Sequence, residues 1–455
     1  MNVILRSSLI VFSLLAASTS ATAQLWLPNI QQRAIFSIIT NPMNPRTLYA
    51  GGYGRALFAS SDAGATWQEL SVGDLGGISQ ITALAMHPKD TNVIFAGGVN
   101  FSGVDRSTDG GITWQNVLND PEGRRFEIYS KGSIDFNPRN PDTVYVLRSY
   151  PAAVYRSPNK GVRWDSIGTI PGLVTSDRMN SLAVCPQPDS AHIMLASGRR
   201  SVMFRSTDAG RNWASTGTMM AGHPDCDVVQ IRWSPSIPGR VYAVGQYQIK
   251  TNATNAGLMI SNDYGLTWET RKFQDTSLMS LEVFPTKNGD EIFIGGGQWF
   301  LSDKSIKGDS IVLRSVDGGT TWQDLSKVEW MTNELGDVGS NIWGFAVTRD
   351  DNGLYEVVMA TEGGTYRSTA VTSVQPTSTS GTASITSTPT MLIIRTADGQ
   401  AATYVVTNLL GATVATGSIP AGSSEERIRI TDLPHGTYAV RVIHPTGVST
   451  ALVLR

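Results

Sequence analysis

Six times along the chain one short phrase returns, Ser-x-Asp-x-Gly-x-Thr-Trp with small variations, at Ser60–Trp67, Ser107–Trp114, Ser157–Trp164, Ser206–Trp213, Ser261–Trp268 and Ser315–Trp322. Measured between successive tryptophans, from 67 to 114, 164, 213, 268 and 322, the steps are 47, 50, 49, 55 and 54 residues. A unit of that length built from short strands cannot bury its apolar face alone. Repeated at a fixed period, it predicts a radial array of small sheets, a β-propeller.

Two further blocks count the blades. An alternating strand ending in Pro is followed by an apolar strand ending in small residues, as in Ser37–Pro42 then Leu48–Gly51, and Ala83–Pro88 then Ile94–Gly97. Five more first strands run through Ile134–Pro138, Leu182–Pro186, Ile231–Pro235, Leu281–Pro285 and, without the Pro, Phe345–Arg349. A third strand, often closing on Arg-Ser, also occurs seven times, at Leu57–Ser60, Val104–Ser107, Val154–Ser157, Met203–Ser206, Leu258–Ser261, Val312–Ser315 and Thr365–Ser368. Only six of these continue into the Trp phrase, so one outer strand is missing at the far end. Gln24-Leu25-Trp26-Leu27 is the candidate to supply it and to close the ring without an open edge.

The phrase itself needs its residues for folding. Ser and Asp side chains bond nearby backbone amides, Gly takes the positive-φ position, and Trp turns back as an apolar plug. The third copy replaces Asp by Asn159 and Thr by Arg163, a change that a turn tolerates better than a catalytic centre would.

On these residues the chain resembles the Asp-box, or BNR-repeat, propellers, a group that includes sialidases, xyloglucanase-type glycoside hydrolases, the sortilin ectodomain and a photosystem II assembly factor. The resemblance covers about residues 24–368 and implies a seven-bladed propeller whose Asp-box hairpins lie away from the ligand-binding face. The sialidase Arg-Ile-Pro motif is not matched, since the corresponding region reads Gln32-Arg33-Ala34-Ile35-Phe36. Sialidase activity is therefore not implied.

The remaining sequence bears on location and partners. Arg6, the apolar stretch Leu9 to Ala17 and the small residues Ala21-Thr22-Ala23 read as an export signal over residues 1–23, with the mature chain starting at Gln24. No cysteine follows the cleavage site, so no lipid anchor is expected there, and no later apolar stretch reaches the length of a transmembrane helix. A formal net charge of −2 and a pI of about 6.2 provide no positive field for nucleic acid. Cys185 and Cys226 fall at opposite ends of their strands in the repeat register and are expected as free thiols.

After Ser368 the chain changes character. Residues 369–390 are rich in Ser and Thr and read as a tether, and residues 391–455 carry short alternating strands that fit a small Ig-like β-sandwich. This tail resembles the C-terminal sorting domain of type IX secretion substrates, carried by Asn408-Leu409-Leu410-Gly411, by Leu433-Pro434-His435-Gly436-Thr437-Tyr438 and by the end strand Ala451–Arg455. That resemblance implies the type IX machinery as a partner and residence in the medium or at the outer-membrane cell surface, reached via the periplasm. An ordinary adhesive sandwich is the alternative.

Propellers bind at the mouth of the central channel. Three residues before the terminal Pro the first strands carry Ile39, Ala85, Asp135, Ala183, Arg232, Glu282 and Ala346; five before it they carry Ser37, Ala83, Ser133, Ser181, Gln230, Ser280 and Gly344. Most are small, as crowding near the axis demands, so Asp135, Arg232 and Glu282 are placed around the channel. Arg232 and Glu282 share a register on adjacent blades and are expected to pair. The sharper alternative makes Asp135 and Glu282 the acid and base of a glycoside hydrolase.

Trp299, Trp330 and Trp343 are expected to crowd one sector of the mouth, with Phe101, Tyr150 and Tyr247 in equivalent loops, as stacking surfaces for a glycan or peptide or as small cores of their own loops. The recurrent Arg106, Arg156, Arg205, Arg314 and Arg367 read as scaffold. Five scattered histidines and the lack of a phosphate or calcium loop point to no cofactor and no metal. The expected function is an exported propeller that binds glycan or peptide. A surface glycoside hydrolase and an assembly factor holding polypeptides are the alternatives.

Overall fold

The computed structural model describes residues 26–454 except 71–79, 100–102, 174–177, 219–225, 248, 251–256, 274–275, 287–288, 298, 302–305, 308–310, 327–340, 350–354, 369–382, 388–390, 397–400, 409–412, 424, 430–436 and 445–446. Two compact units emerge, one within residues 25–378 and one from residue 379 onward.

The first unit is a β-propeller of seven four-stranded antiparallel sheets. Blade 1 consists of Ile35–Thr40, Leu48–Gly52, Leu57–Ser60 and Gln68–Glu69. The first strands of blades 2 to 6 are Gln80–Met86, Ile134–Phe136, Met179–Val184, Cys226–Trp233 and Leu278–Thr286. Blade 7 takes three strands from the end of the unit, Ile342–Arg349, Tyr355–Thr361 and Gly364–Ser368, and its fourth from the beginning, Trp26–Gln31. Trp26 pairs with Ser368 and is fully buried, and its indole N–H donates to the Leu325 carbonyl at 2.9 Å. The closure expected from the unassigned tryptophan is the one the ring uses.

Small residues on the second strands let the blades pack. A Cβ on Gly51 would lie 2.4 Å from an Ile81 methyl, and one on Gly295 would lie 2.6 Å from Ile342, so an isoleucine of the next blade docks against bare backbone. The residues five before the terminal Pro also join blades by hydrogen bonds. Ser37 Oγ accepts from Leu84 N at 3.1 Å, Ser181 Oγ from Ile231 N at 3.2 Å, and Gln230 Oε1 from Leu281 N at 2.8 Å. Crowding was only half the reason for small residues there.

One feature of the first strands breaks the alternation. In blades 1, 2, 4, 5, 6 and 7 the pairing skips one residue, between Ile35 and Ser37, Ile81 and Ala83, Met179 and Ser181, Val228 and Gln230, Leu278 and Ser280, and Ile342 and Gly344. These are β-bulges, which re-aim a side chain that a regular strand would point elsewhere. In blade 3 a short 3-10 turn, Lys131–Ser133, stands at that position.

The Trp phrases form hairpins at the outer edge of blades 1 to 6. In the first, Ser60 Oγ donates to Asp62 at 2.8 Å and accepts from Gly64 N at 2.9 Å, while Asp62 accepts from the Thr66 N–H at 2.8 Å and hydroxyl at 2.6 Å. Asn159 keeps the backbone bond, accepting from Arg163 N at 2.9 Å. The side-chain oxygen serves the turn, which is why Asn substitutes for Asp.

Neither Cys185 nor Cys226 is part of a disulfide, and both are buried in one hydrophobic cluster. The tail unit is a two-sheet sandwich. Ala383–Ser387, Met391–Thr396 and Glu425–Arg429 form one sheet, and Thr413–Ile419, Ala402–Asn408, Thr437–His444 and Gly447–Leu454 the other. Leu392, Ile394, Tyr404, Val406, Tyr438 and Val440 share its core. Its first strand begins inside the segment read as a tether, where Ser384-Ile385-Thr386 alternates well enough to pair with Met391–Thr396.

Candidate functional site

The channel along the propeller axis holds two cavities with Lys131 lining both. The one toward the strand ends that carry the prolines has a volume of about 450 Å³ and is walled by Ile39, Leu84, Met86, Phe136, Val184, Trp233 and Phe284, with Asp135, Arg232 and Glu282 also lining it. The charged groups form a network. Arg232 donates to Glu282 from Nε at 3.2 Å and from Nη2 at 3.1 Å. Lys131 reaches the same carboxylate and also donates to the Phe345 carbonyl at 3.1 Å. Burial pushes the Glu282 carboxyl up, but Arg232 and Lys131 outweigh it and hold it below the usual range.

Asp135 has no cation in contact among the described residues. Its two oxygens accept from Phe136 N at 2.8 Å and Val184 N at 2.7 Å. Burial pushes its carboxyl up to about 6, against those two bonds and the more distant Arg232. The structure thus ties Glu282 to two cations and Asp135 to backbone, where sequence reasoning had set them as a possible acid and base. Lys131 was missed, because it lies in the turn before its strand and finds its partner 151 residues away.

The second cavity, at the opposite end of the first strands, has a volume of about 150 Å³. Six of its lining residues, Phe36, Thr82, Asn180, Val229, Met279 and Trp343, are the bulged residues of six blades. All stand six positions before the terminal Pro or its equivalent. Gln80, Tyr129, Gln230 and Gln246 complete much of the wall, and no carboxylate is among its described lining residues. Phe36 and Trp343 meet edge to face with centroids 5.4 Å apart. Gln230 is 4% exposed. Its oxygen is spent on Leu281 N, and its Nε2 has no partner among the described residues; the same holds for Trp343 Nε1.

Of the aromatic residues expected at the mouth, Trp343 lines this cavity. Tyr150 lies at the turn of blade 3 under the Arg178 guanidinium, 4.4 Å from its ring centre. Tyr247 ends the strand Val241–Tyr247, and Trp299 begins Trp299–Leu301, which belongs to a small extra sheet with Ile249–Lys250 and Ile306–Lys307 rather than to a loop. Phe101 and Trp330 lie outside the described residues. The recurrent arginines serve the blades in several ways. Arg314 donates to Glu291 at 2.6 Å, Arg367 pairs with Glu356, and Arg205 donates to the Tyr264 carbonyl at 3.0 Å.

No group of acidic, His or Cys side chains suited to a metal ion occurs among the described residues. None of the described helices is long and apolar enough to cross a membrane.

No protein-family profile matches the chain. It is 25% identical over 331 residues to a xyloglucanase of a Paenibacillus species, a match covering 66% of this chain and 27% of that protein. It is 30% identical over 164 residues to the xyloglucanase Xgh74A of Acetivibrio thermocellus, covering 29% of this chain and 19% of that protein. The chain spans about a quarter or less of the length of these curated relatives. Among solved structures it is similar to an ancestral GH74 enzyme, with a TM-score of 0.56 and 17% identity over 95% of this chain and 64% of that one. It is also similar to YCF48 bound to D1 peptide, with a TM-score of 0.52 and 16% identity over 77% of this chain and 96% of that one. At those identities what is shared is the β-propeller itself.

Proposed function

We propose that the chain is an exported Asp-box propeller that binds a neutral glycan at the bulge-lined mouth of its channel and does not hydrolyse it there. The observation that carries this reading is the ring of bulged residues. Six blades use an irregularity to aim Phe36, Trp343 and their counterparts at one cavity, whose described wall offers rings, amides, hydroxyls and the Lys131 side chain but no carboxylate. Aromatic faces with convergent hydrogen-bonding groups suit sugar rings. The sequence likeness to xyloglucanases supports a glycan as the ligand class.

Hydrolysis needs two carboxyl groups with divided roles, one able to hold a proton and one free to take or push electrons. Glu282 is neutralised by Arg232 and Lys131, which leaves it a poor base. The channel carboxylates therefore serve the ring. Export by the leader at residues 1–23, and delivery to the cell surface or medium by a type IX sorting tail at residues 391–455, complete the proposal.

The test is a glycan and peptide array probed with the full secreted chain, followed by release of reducing sugar from every glycan bound. Binding to neutral polysaccharide without release supports the reading. Release that disappears in both Asp135→Asn and Glu282→Gln would make the protein a glycoside hydrolase, and capture of peptides alone would make it a polypeptide-holding factor.

A further inference from the structure

Lys131 stands between the mouth cavity and the larger one. It lines both, and its side chain crosses the axis to Glu282 and to the Phe345 carbonyl, so the two spaces are divided by a charged bar. At about 150 Å³ the mouth cavity is about half or less of the roughly 300–1,000 Å³ typical of sites for drug-sized ligands. A space of that size has room for about one small ring.

Its chemistry is equally restrictive. Ser130 donates to the Asn180 carbonyl, Thr82 Oγ1 to the Ile128 carbonyl at 2.5 Å, and Asn180 Nδ2 to the Val228 carbonyl at 3.2 Å, so these polar groups are already committed. Of the donors on the described wall, Gln230 Nε2 and Trp343 Nε1 are the ones that are fully buried without a partner, while Gln80, Gln246 and Tyr129 add amides and a hydroxyl to the lining. The amide of Gln230 cannot be turned around, because Leu281 N–H requires an oxygen opposite it. Among the seven blades this position is otherwise Ser, Ala or Gly, and where Ser37 and Ser181 stand, a single hydroxyl makes the same inter-blade bond. Gln230 makes that bond and carries an additional amide donor. A buried donor left over in a cavity is satisfied by a group that brings an acceptor. The absence of a carboxylate from the described wall disfavours a cation, and the Lys131 ammonium is engaged by the Glu282 carboxylate and the Phe345 carbonyl.

Resting on the glycan reading above, we infer that the cavity is an end-recognition subsite: it takes a single neutral sugar residue at one terminus of a chain. Gln230 Nε2 and Trp343 Nε1 donate to its hydroxyl or ring oxygens, and Phe36 and Trp343 pack on its apolar face. Internal stretches of polysaccharide lie outside it.

Isothermal titration of the full chain with xyloglucan oligosaccharides tests this. The probes are the oligosaccharides as released, the same with the reducing end converted to an alditol, and the same with the non-reducing terminal residue oxidised to a uronate. One of the two modifications should weaken binding tenfold or more while the other leaves it nearly unchanged. Gln230→Ser, which keeps the inter-blade bond in the form two other blades use and removes the spare amide, should weaken the unmodified oligosaccharide by a similar factor with little change in Tm. Equal binding of all three probes, or wild-type affinity in Gln230→Ser, overturns end recognition while leaving glycan binding standing. A wild-type chain that binds none of these probes overturns it too, and an empty glycan array then removes the glycan reading itself.

Discussion

Lys131, carried by the turn that leads into blade 3, bridges the channel to Glu282 on the first strand of blade 6. Both side chains are mostly buried, 14% and 11% exposed, and Arg232 joins them from blade 5. Blade 3 is thus joined through the centre of the ring to the adjacent pair formed by blades 5 and 6.

Removing the anion at this hub leaves two buried cations facing each other. We expect Glu282→Ala to lose about 3–5 kcal/mol of unfolding free energy, the range found when one partner of a buried charge pair is deleted. Lys131→Met should cost less, since Arg232 still neutralises Glu282. Urea titration of the two variants checks the order, and the reverse order would make Lys131 the hub.

Asp135 sets a pH dependence of the opposite sign to a usual carboxylate. Its folded pKa of about 6 lies above the roughly 3.9 of an unfolded Asp, so the folded state binds the proton more tightly. Its contribution to stability is therefore greatest below about pH 4 and is lost as pH rises through 6. Asp135→Asn cannot titrate, so the wild type should lose stability relative to this variant between pH 4 and 7. Thermal melts of both proteins across that window give the difference, and a constant difference would contradict the assignment.

The closing strand is expected to stabilise the entire ring. Trp26→Ala empties a fully buried site in the blade 7 cluster and removes the bond to Leu325, which should cost about 3–5 kcal/mol. Calorimetry of this variant should still show one transition at lower temperature. Deleting residues 24–31 should broaden or abolish the transition.

The hairpins should distinguish an acceptor oxygen from a charge. Asp62→Asn keeps an oxygen for Thr66 N, as Asn159 does for Arg163 N, and should change stability little. Asp62→Ala loses that acceptor and should cost about 1 kcal/mol. Chemical denaturation of the pair settles it, and equal losses would mean that the charge matters.

The strand count and the ring closure were legible in the sequence because the Trp phrase, the terminal Pro and the stray Trp26 are local patterns that recur. The mouth was not. Reading the first strands as strictly alternating put Ile39, Asp135 and Arg232 on the axis and left Phe36, Thr82 and Asn180 on the other side, and only the bulges bring the latter to the cavity. A bulge changes hydrogen-bond pairing without changing composition, so its one trace was the unusual Phe, Asn and Trp six places before the strand end. Lys131 left no trace at all, since its role depends on a partner three blades away. In the tail, Ala383–Ser387 was hidden by a Ser and Thr composition that suits a linker and a strand alike.

The pairing of Trp26 with Ser368 has a consequence for how the molecule is made. The first strand to leave the ribosome must wait for the last blade of the ring before it finds its partner, at the entropic cost of closing a loop of more than three hundred residues. Until then blade 7 does not exist as a four-stranded sheet and the toroid has two loose ends. The order of strands along the gene thus postpones closure of the ring until the three later strands of blade 7 have been made.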